Sequence, residues 1–107
     1  MPKYIMTTMS LESAKNVWLN TSDLRNRVLK AEAAQQPKAF REWLEFEIAT
    51  LSKCPEPTEN TVGLVRQYMG MWQACDVLVK AHDQAIRDRQ DKMSQLLKEF
   101  EAMKQGR

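Results

Sequence analysis

The strongest regularity in the chain has a period of seven. Val65, Trp72, Val79, Ile86, Met93 and Phe100 are all apolar. Three positions after each come Tyr68, Cys75, His82, Arg89, Leu96 and Met103, of which only His82 and Arg89 are polar in a way that a seam would resist. No proline falls between Thr61 and Lys104, and the glycines there are Gly63 and Gly70. Spacing of this kind predicts one helix over 61–104, with the two series on a shared face. At 1.5 Å per residue such a helix is about 66 Å long, more than a chain of this size can cover. It must therefore project or bend, and the polar stretch 87–92 marks where a bend would fall. The opposite-sign pairs Asp83 with Arg87, Arg87 with Asp91 and Asp88 with Lys92 lie four apart and favour continuity.

A second apolar stripe, Phe40, Trp43, Leu44, Ile48 and Leu51, predicts a helix over 37–52, opened by Pro37, whose missing N–H is not needed in a first turn. Phe46 falls off that stripe, so it meets another helix or stays open to a partner. The run from Cys54 to Asn60, with Pro55 and Pro57, reads as a loop. Upstream, Ser10 followed by Leu11, Ala14, Val17 and Trp18 predicts a short helix over 11–19. Thr21 or Ser22 then caps a second helix, carrying Leu24, Val28, Leu29 and the alanines 31–34 to about Gln35. Residues 1–9 carry no period.

The expected fold is all-α: two short N-terminal helices, an antiparallel helical hairpin, and a long C-terminal helix projecting as a coiled-coil-like tail. In domain terms this is a flexible N-terminus over 1–9, a helical body over 10–86 and a helical tail over 87–107. The expected core is Trp18, Leu24, Val28, Phe40, Trp43, Leu44, Ile48, Leu51, Val65, Tyr68, Trp72, Cys75 and Val79, and Gly70 is expected to let a neighbouring helix approach closely.

Composition narrows the function. With 107 residues there is room for one domain, and 43% hydrophobic against 28% charged residues excludes a charge-rich disordered chain. Sixteen Lys plus Arg against 14 Asp plus Glu leave a net +2, too little for a nonspecific nucleic-acid binder. The basic residues of the last turns, Arg87, Arg89, Lys92, Lys98, Lys104 and Arg107, are interleaved with Asp88, Asp91, Glu99 and Glu101, so no basic face forms. No apolar run approaches the roughly 20 residues of a membrane span, and the first residues lack the charged-then-apolar pattern expected of a signal segment. The expected location is the cytoplasm, or a particle assembled there, with Cys54 and Cys75 as free thiols.

No constellation for catalysis emerges. Cys75 and His82 lie seven apart on one helix, roughly 10 Å along its axis, too far for a thiol–imidazole pair. One His and two separated Cys do not make a zinc site, and Glu42, Glu45 and Glu47 read as a solvated face. No cofactor is expected, and the chain is read as non-enzymatic. Met69 and Met71 flank Gly70 and cannot both face one core, so one of them is left for a second surface.

The stretch Trp43-Leu44 to Leu51, then Gln67-Tyr68-Met69-Gly70-Met71-Trp72 and Leu78-Val79, resembles small helical-hairpin accessory proteins of tailed bacteriophages over about 45 residues. That resemblance implies a virion accessory or assembly role in the host cytoplasm or the virion, with no active site to carry over. Phages also use small helical proteins to inhibit host enzymes, which is the alternative reading. Either role implies a protein partner, with weak self-association through the C-terminal helix as a further expectation. The expected partner-binding residues are Phe46, Met71, Ile86, Met93, Leu96, Leu97, Phe100 and Met103.

Overall fold

The structure is a computed structural model that describes residues 9–106, so most of the segment expected to be a flexible N-terminus lies outside the described residues. Among these residues the regular elements are all helical: α1 (Leu11–Asn20), α2 (Ser22–Val28), a 3-10 turn (Ala33–Gln35), α3 (Pro37–Ser52) and α4 (Glu59–Gln105). Each start has a local cause. Ser10 is extended, and its hydroxyl oxygen accepts the Ser13 N–H at 3.1 Å. Pro37 opens α3 after an extended Gln36. Thr58 caps α4 by accepting the Thr61 N–H at 3.2 Å, and Glu59 sits in the first turn, where its charge favours the helix dipole. α4 therefore begins two residues before the point its apolar pattern indicates.

The second helix departs from expectation. It stops at Val28, because Leu29 is extended, and the alanine run forms the 3-10 turn instead of more helix. The cause is a long-range contact from Arg25. Its Nε donates to the Ala34 carbonyl at 3.1 Å, and Nη1 donates to the Thr21 hydroxyl at 3.2 Å. Its guanidinium lies 3.6 Å from the centre of the Trp18 ring. One buried arginine thus clips α1, α2 and the 3-10 turn together. Thr21 is correspondingly withdrawn from capping: its hydroxyl donates to the Trp18 carbonyl and accepts from Arg25.

α1 and α3 both lie along α4, with α2 and the 3-10 turn beside them. The centre of the body is Phe40, Leu44 and Cys75, all fully buried, with Trp18, Leu24, Val28, Trp43, Ile48, Tyr68, Met71 and Trp72 packed around them. Phe40 joins the elements through its ring: it meets Trp18 edge-on at 6.0 Å and stacks on Trp43 at 5.5 Å, and Trp43 in turn tilts onto Tyr68 at 5.6 Å. The small residues Ala14, Ala34 and Ala74 are also fully buried. Gly70 does not have the expected role, since a side-chain carbon there would meet nothing within 4 Å. Trp72 is half-buried at the rim, its indole N–H donating to Glu45 Oε1 at 3.0 Å, so Glu45 is not simply solvated.

Burial along α4 ends at Ala81, and every described residue beyond it is exposed. The long helix is uninterrupted through the polar stretch 87–92. Its projection dominates the shape, 75 × 39 × 24 Å with a radius of gyration of 20.0 Å, where a compact chain of this length has about 13 Å.

Complete burial and ring contacts with both Trp18 and Trp43 make Phe40 a sensitive core position. Phe40→Ala is expected to destabilise the body by about 3–5 kcal/mol, a large part of the total stability of a small domain. The half-buried Trp72→Ala should lose clearly less. Chemical denaturation followed by far-ultraviolet circular dichroism checks the order, and a Phe40→Ala midpoint above that of Trp72→Ala contradicts it.

Candidate functional site

Past Ala81 the helix carries its apolar seam into solvent. Ile86 is 39% exposed, Leu96 49%, Met93, Leu97 and Phe100 58% each, and Met103 77%. These six fall at helical spacing on one side, which the sequence pattern made legible, and among the described residues no element covers that side. Upstream, the same two series point into the body, where Val65, Tyr68, Trp72, Cys75 and Val79 are buried or half-buried. The seam is therefore one continuous feature, covered in its first half and bare in its second. Its two polar members, His82 and Arg89, are both exposed at the start of the bare half.

The other expected partner residues lie elsewhere. Phe46 is 67% exposed on α3, within the body, and is not part of the tail seam. Met71 packs against the core cluster, and Met69, 47% exposed, is the methionine left facing outward. Helix geometry explains the division: positions two apart point to opposite sides, and Met71 falls on the side of Trp72 and Cys75.

Charges are arranged differently in the two halves. In the body, Asp76 is held by Arg41 Nη1 and Lys80 Nζ, each at 2.8 Å. The first of these ties α3 to α4. Burial alone would raise the Asp76 carboxyl, but hydrogen bonds and charge from Lys80 and Arg41 outweigh it and hold the group below the usual carboxylate range. Arg41 Nε, beside this pair, is buried without a partner. In the tail, Asp88 accepts from Gln84 at 2.9 Å instead of pairing with Lys92, and Lys104 lies 5.6 Å from the centre of the Phe100 ring. Asp83, Lys92 and Glu99 make no ion pair within the described residues.

Cys75 is buried and Cys54 exposed. Burial pushes the Cys75 thiol up to about 12 against the opposing pull of Arg25 and Arg41, so it stays protonated at neutral pH and acts as a small core residue. The same burial lowers Arg25 from its ordinary value, though a guanidinium remains charged. Among the described residues no group of three or more His, Cys, Asp or Glu could hold a metal ion, and no helix is long and apolar enough to cross a membrane. The grooves on the body are open clefts between helices. The one at the foot of the tail is bordered by Trp18, Pro37, Leu78, Val79 and His82.

Arg25, Thr21, Arg41 and Asp76 are structural groups that apolar periodicity passes over. Their only sequence signal is spacing, four residues from Thr21 to Arg25 and from Asp76 to Lys80.

The Asp76 pair makes a signed pH prediction. Because the carboxyl titrates lower in the folded chain than in the unfolded one, the stability it contributes is complete above the ordinary Asp value of about 4 and is lost as pH falls through the folded value. Wild type should therefore exceed Asp76→Asn in stability at pH 7, and the gap should narrow below about pH 4. Denaturation midpoints across that range check it, and a gap that stays constant contradicts it.

Compared with known proteins, the chain matches no family model, no curated protein and no solved structure.

Proposed function

We propose that this chain is a non-catalytic interaction protein that works through a helical surface, of the kind that small phage accessory proteins supply in assembling a particle. The observation that carries the reading is the bare apolar seam from Ile86 to Met103 on an unbroken helix. Exposed contiguous apolar faces on helices are ordinarily partner surfaces, because leaving them in water forfeits about 25 cal/mol per Å² of apolar area. The body supports this role by acting as a mount. Its core is centred on Phe40, Leu44 and Cys75 and holds the first half of α4, from which the second half continues as the same helix.

The test uses the full chain and a double variant, Met93→Glu with Phe100→Glu, on the outer face of the tail. Both should have the same body melting midpoint, since neither position is buried. Wild type should associate, with itself or with a protein of the particle or host, and the variant should lose that association by at least about tenfold, the effect of placing two charges in an apolar contact. Equal association by the two proteins, or none by either, overturns the reading.

A further inference from the structure

We infer that the tail's partner is a second copy of this chain, paired antiparallel in one register. The inference rests on the function proposed above and adds the identity of the partner. Let the series Ile86, Met93, Phe100 be the a positions of a heptad and His82, Arg89, Leu96, Met103 the d positions. In an antiparallel pair each a position faces a d position of the other helix. Centred on the bare stretch, the pairing sets Ile86 against the partner's Met103, Met93 against the partner's Leu96, and Phe100 against the partner's Arg89. The two-fold axis repeats each layer.

The flanking charges select this register. Antiparallel helices bring e positions against e and g against g, and here the charged residues at these positions are Asp83 and Lys104 at e, and Lys92 and Glu99 at g. In the centred register Asp83 faces the partner's Lys104, and Lys92 faces the partner's Glu99. Both are opposite in sign and both occur twice. A shift of one heptad one way sets Lys92 against the partner's Lys92, and a shift the other way sets Glu99 against the partner's Glu99. A parallel pair would place Arg89 against the partner's Arg89 inside the seam. Of the centred register, its one-heptad shifts and the parallel pair, only the centred antiparallel one avoids these like-charge contacts, and it sets Arg89 against the aromatic Phe100 instead of a second cation. Longer shifts give up apolar layers of the seam.

Two features of the single chain agree with this. Asp83, Lys92 and Glu99 make no ion pair within the described residues, so their partners are available across the interface. The chain also exposes 8905 Å², where a compact monomer of this mass exposes about 6,200 Å², so its elongated shape leaves surface for a second copy to cover.

The experiment is a charge-exchange cycle on the full chain, read by sedimentation equilibrium. Lys92→Glu alone and Glu99→Lys alone should each weaken the dimer by about tenfold, as two attractive contacts become repulsive. The double variant Lys92→Glu with Glu99→Lys should restore wild-type affinity. A parallel dimer gives no such rescue, because Lys92 does not face Glu99 there. The second measurement is a spin-label distance from Gln84→Cys in a Cys54→Ser chain, where the buried Cys75 thiol is shielded from the label. Antiparallel pairing separates the two labels by about 32 Å along the axis, and parallel pairing leaves them level. Failure of rescue, or level labels, overturns the inference. A wild-type chain that is monomeric throughout also overturns it; if the Met93→Glu, Phe100→Glu variant nevertheless loses a different protein, the interaction reading stands and the second copy is excluded.

Discussion

The architecture follows from a mismatch of lengths. α4 is 47 residues and α3, the longest element laid against it, is 16, or about 70 Å against about 24 Å. Among the described residues, two short helices and a 3-10 turn are all that remains to widen the cover. They reach as far as Ala81, and the seam runs on without them. The elongated shape, the bare apolar face and the proposed role all come from this shortfall.

What the short elements achieve is a firm grip on the covered half. Phe40 and Leu44 from α3 meet Cys75 from α4 in the buried centre, and the alanines at positions 14, 34 and 74 are fully buried beside the helices they join. Arg25 adds a different kind of restraint. It is buried, makes no ion pair among the described residues, and is met by a carbonyl, a hydroxyl and an indole face. A buried cation in such company is costly unless every contact is made at once, so it specifies how α1, α2 and the 3-10 turn must sit. Asp76 does the same between α3 and α4 through Arg41, at the expense of an unsatisfied Nε on that arginine.

The long amphipathic elements were legible in the sequence because burial on one face writes a period into it. α3 shows its Pro37 start and Ser52 end, and α4 its heptads and its persistence through 87–92. The bare seam was legible for the same reason, as periodicity continuing beyond any element able to cover it. The end of the second helix is not legible, because the alanines at 31, 33 and 34 favour helix locally, whereas Arg25 captures the Ala34 carbonyl from nine residues away, and that contact leaves no period. Gly70 reads as a packing glycine, yet it faces open space. Met71 and Met69 were symmetrical in sequence until the packing of Trp72 and Cys75 fixed which side of α4 is inside. Glu45 looked solvated because its partner, the Trp72 indole, is 27 residues away.

A helix whose apolar face is covered in one half and bare in the other should be unequally stable along its length until a second helix arrives. Amide hydrogen exchange, read peptide by peptide at micromolar and near-millimolar chain concentration, measures this directly. The account predicts strong protection at both concentrations around Phe40, Leu44 and Cys75. It also predicts weak protection over 84–105 in dilute solution that rises steeply as the chain is concentrated. Exchange over 84–105 that is the same at both concentrations would contradict it.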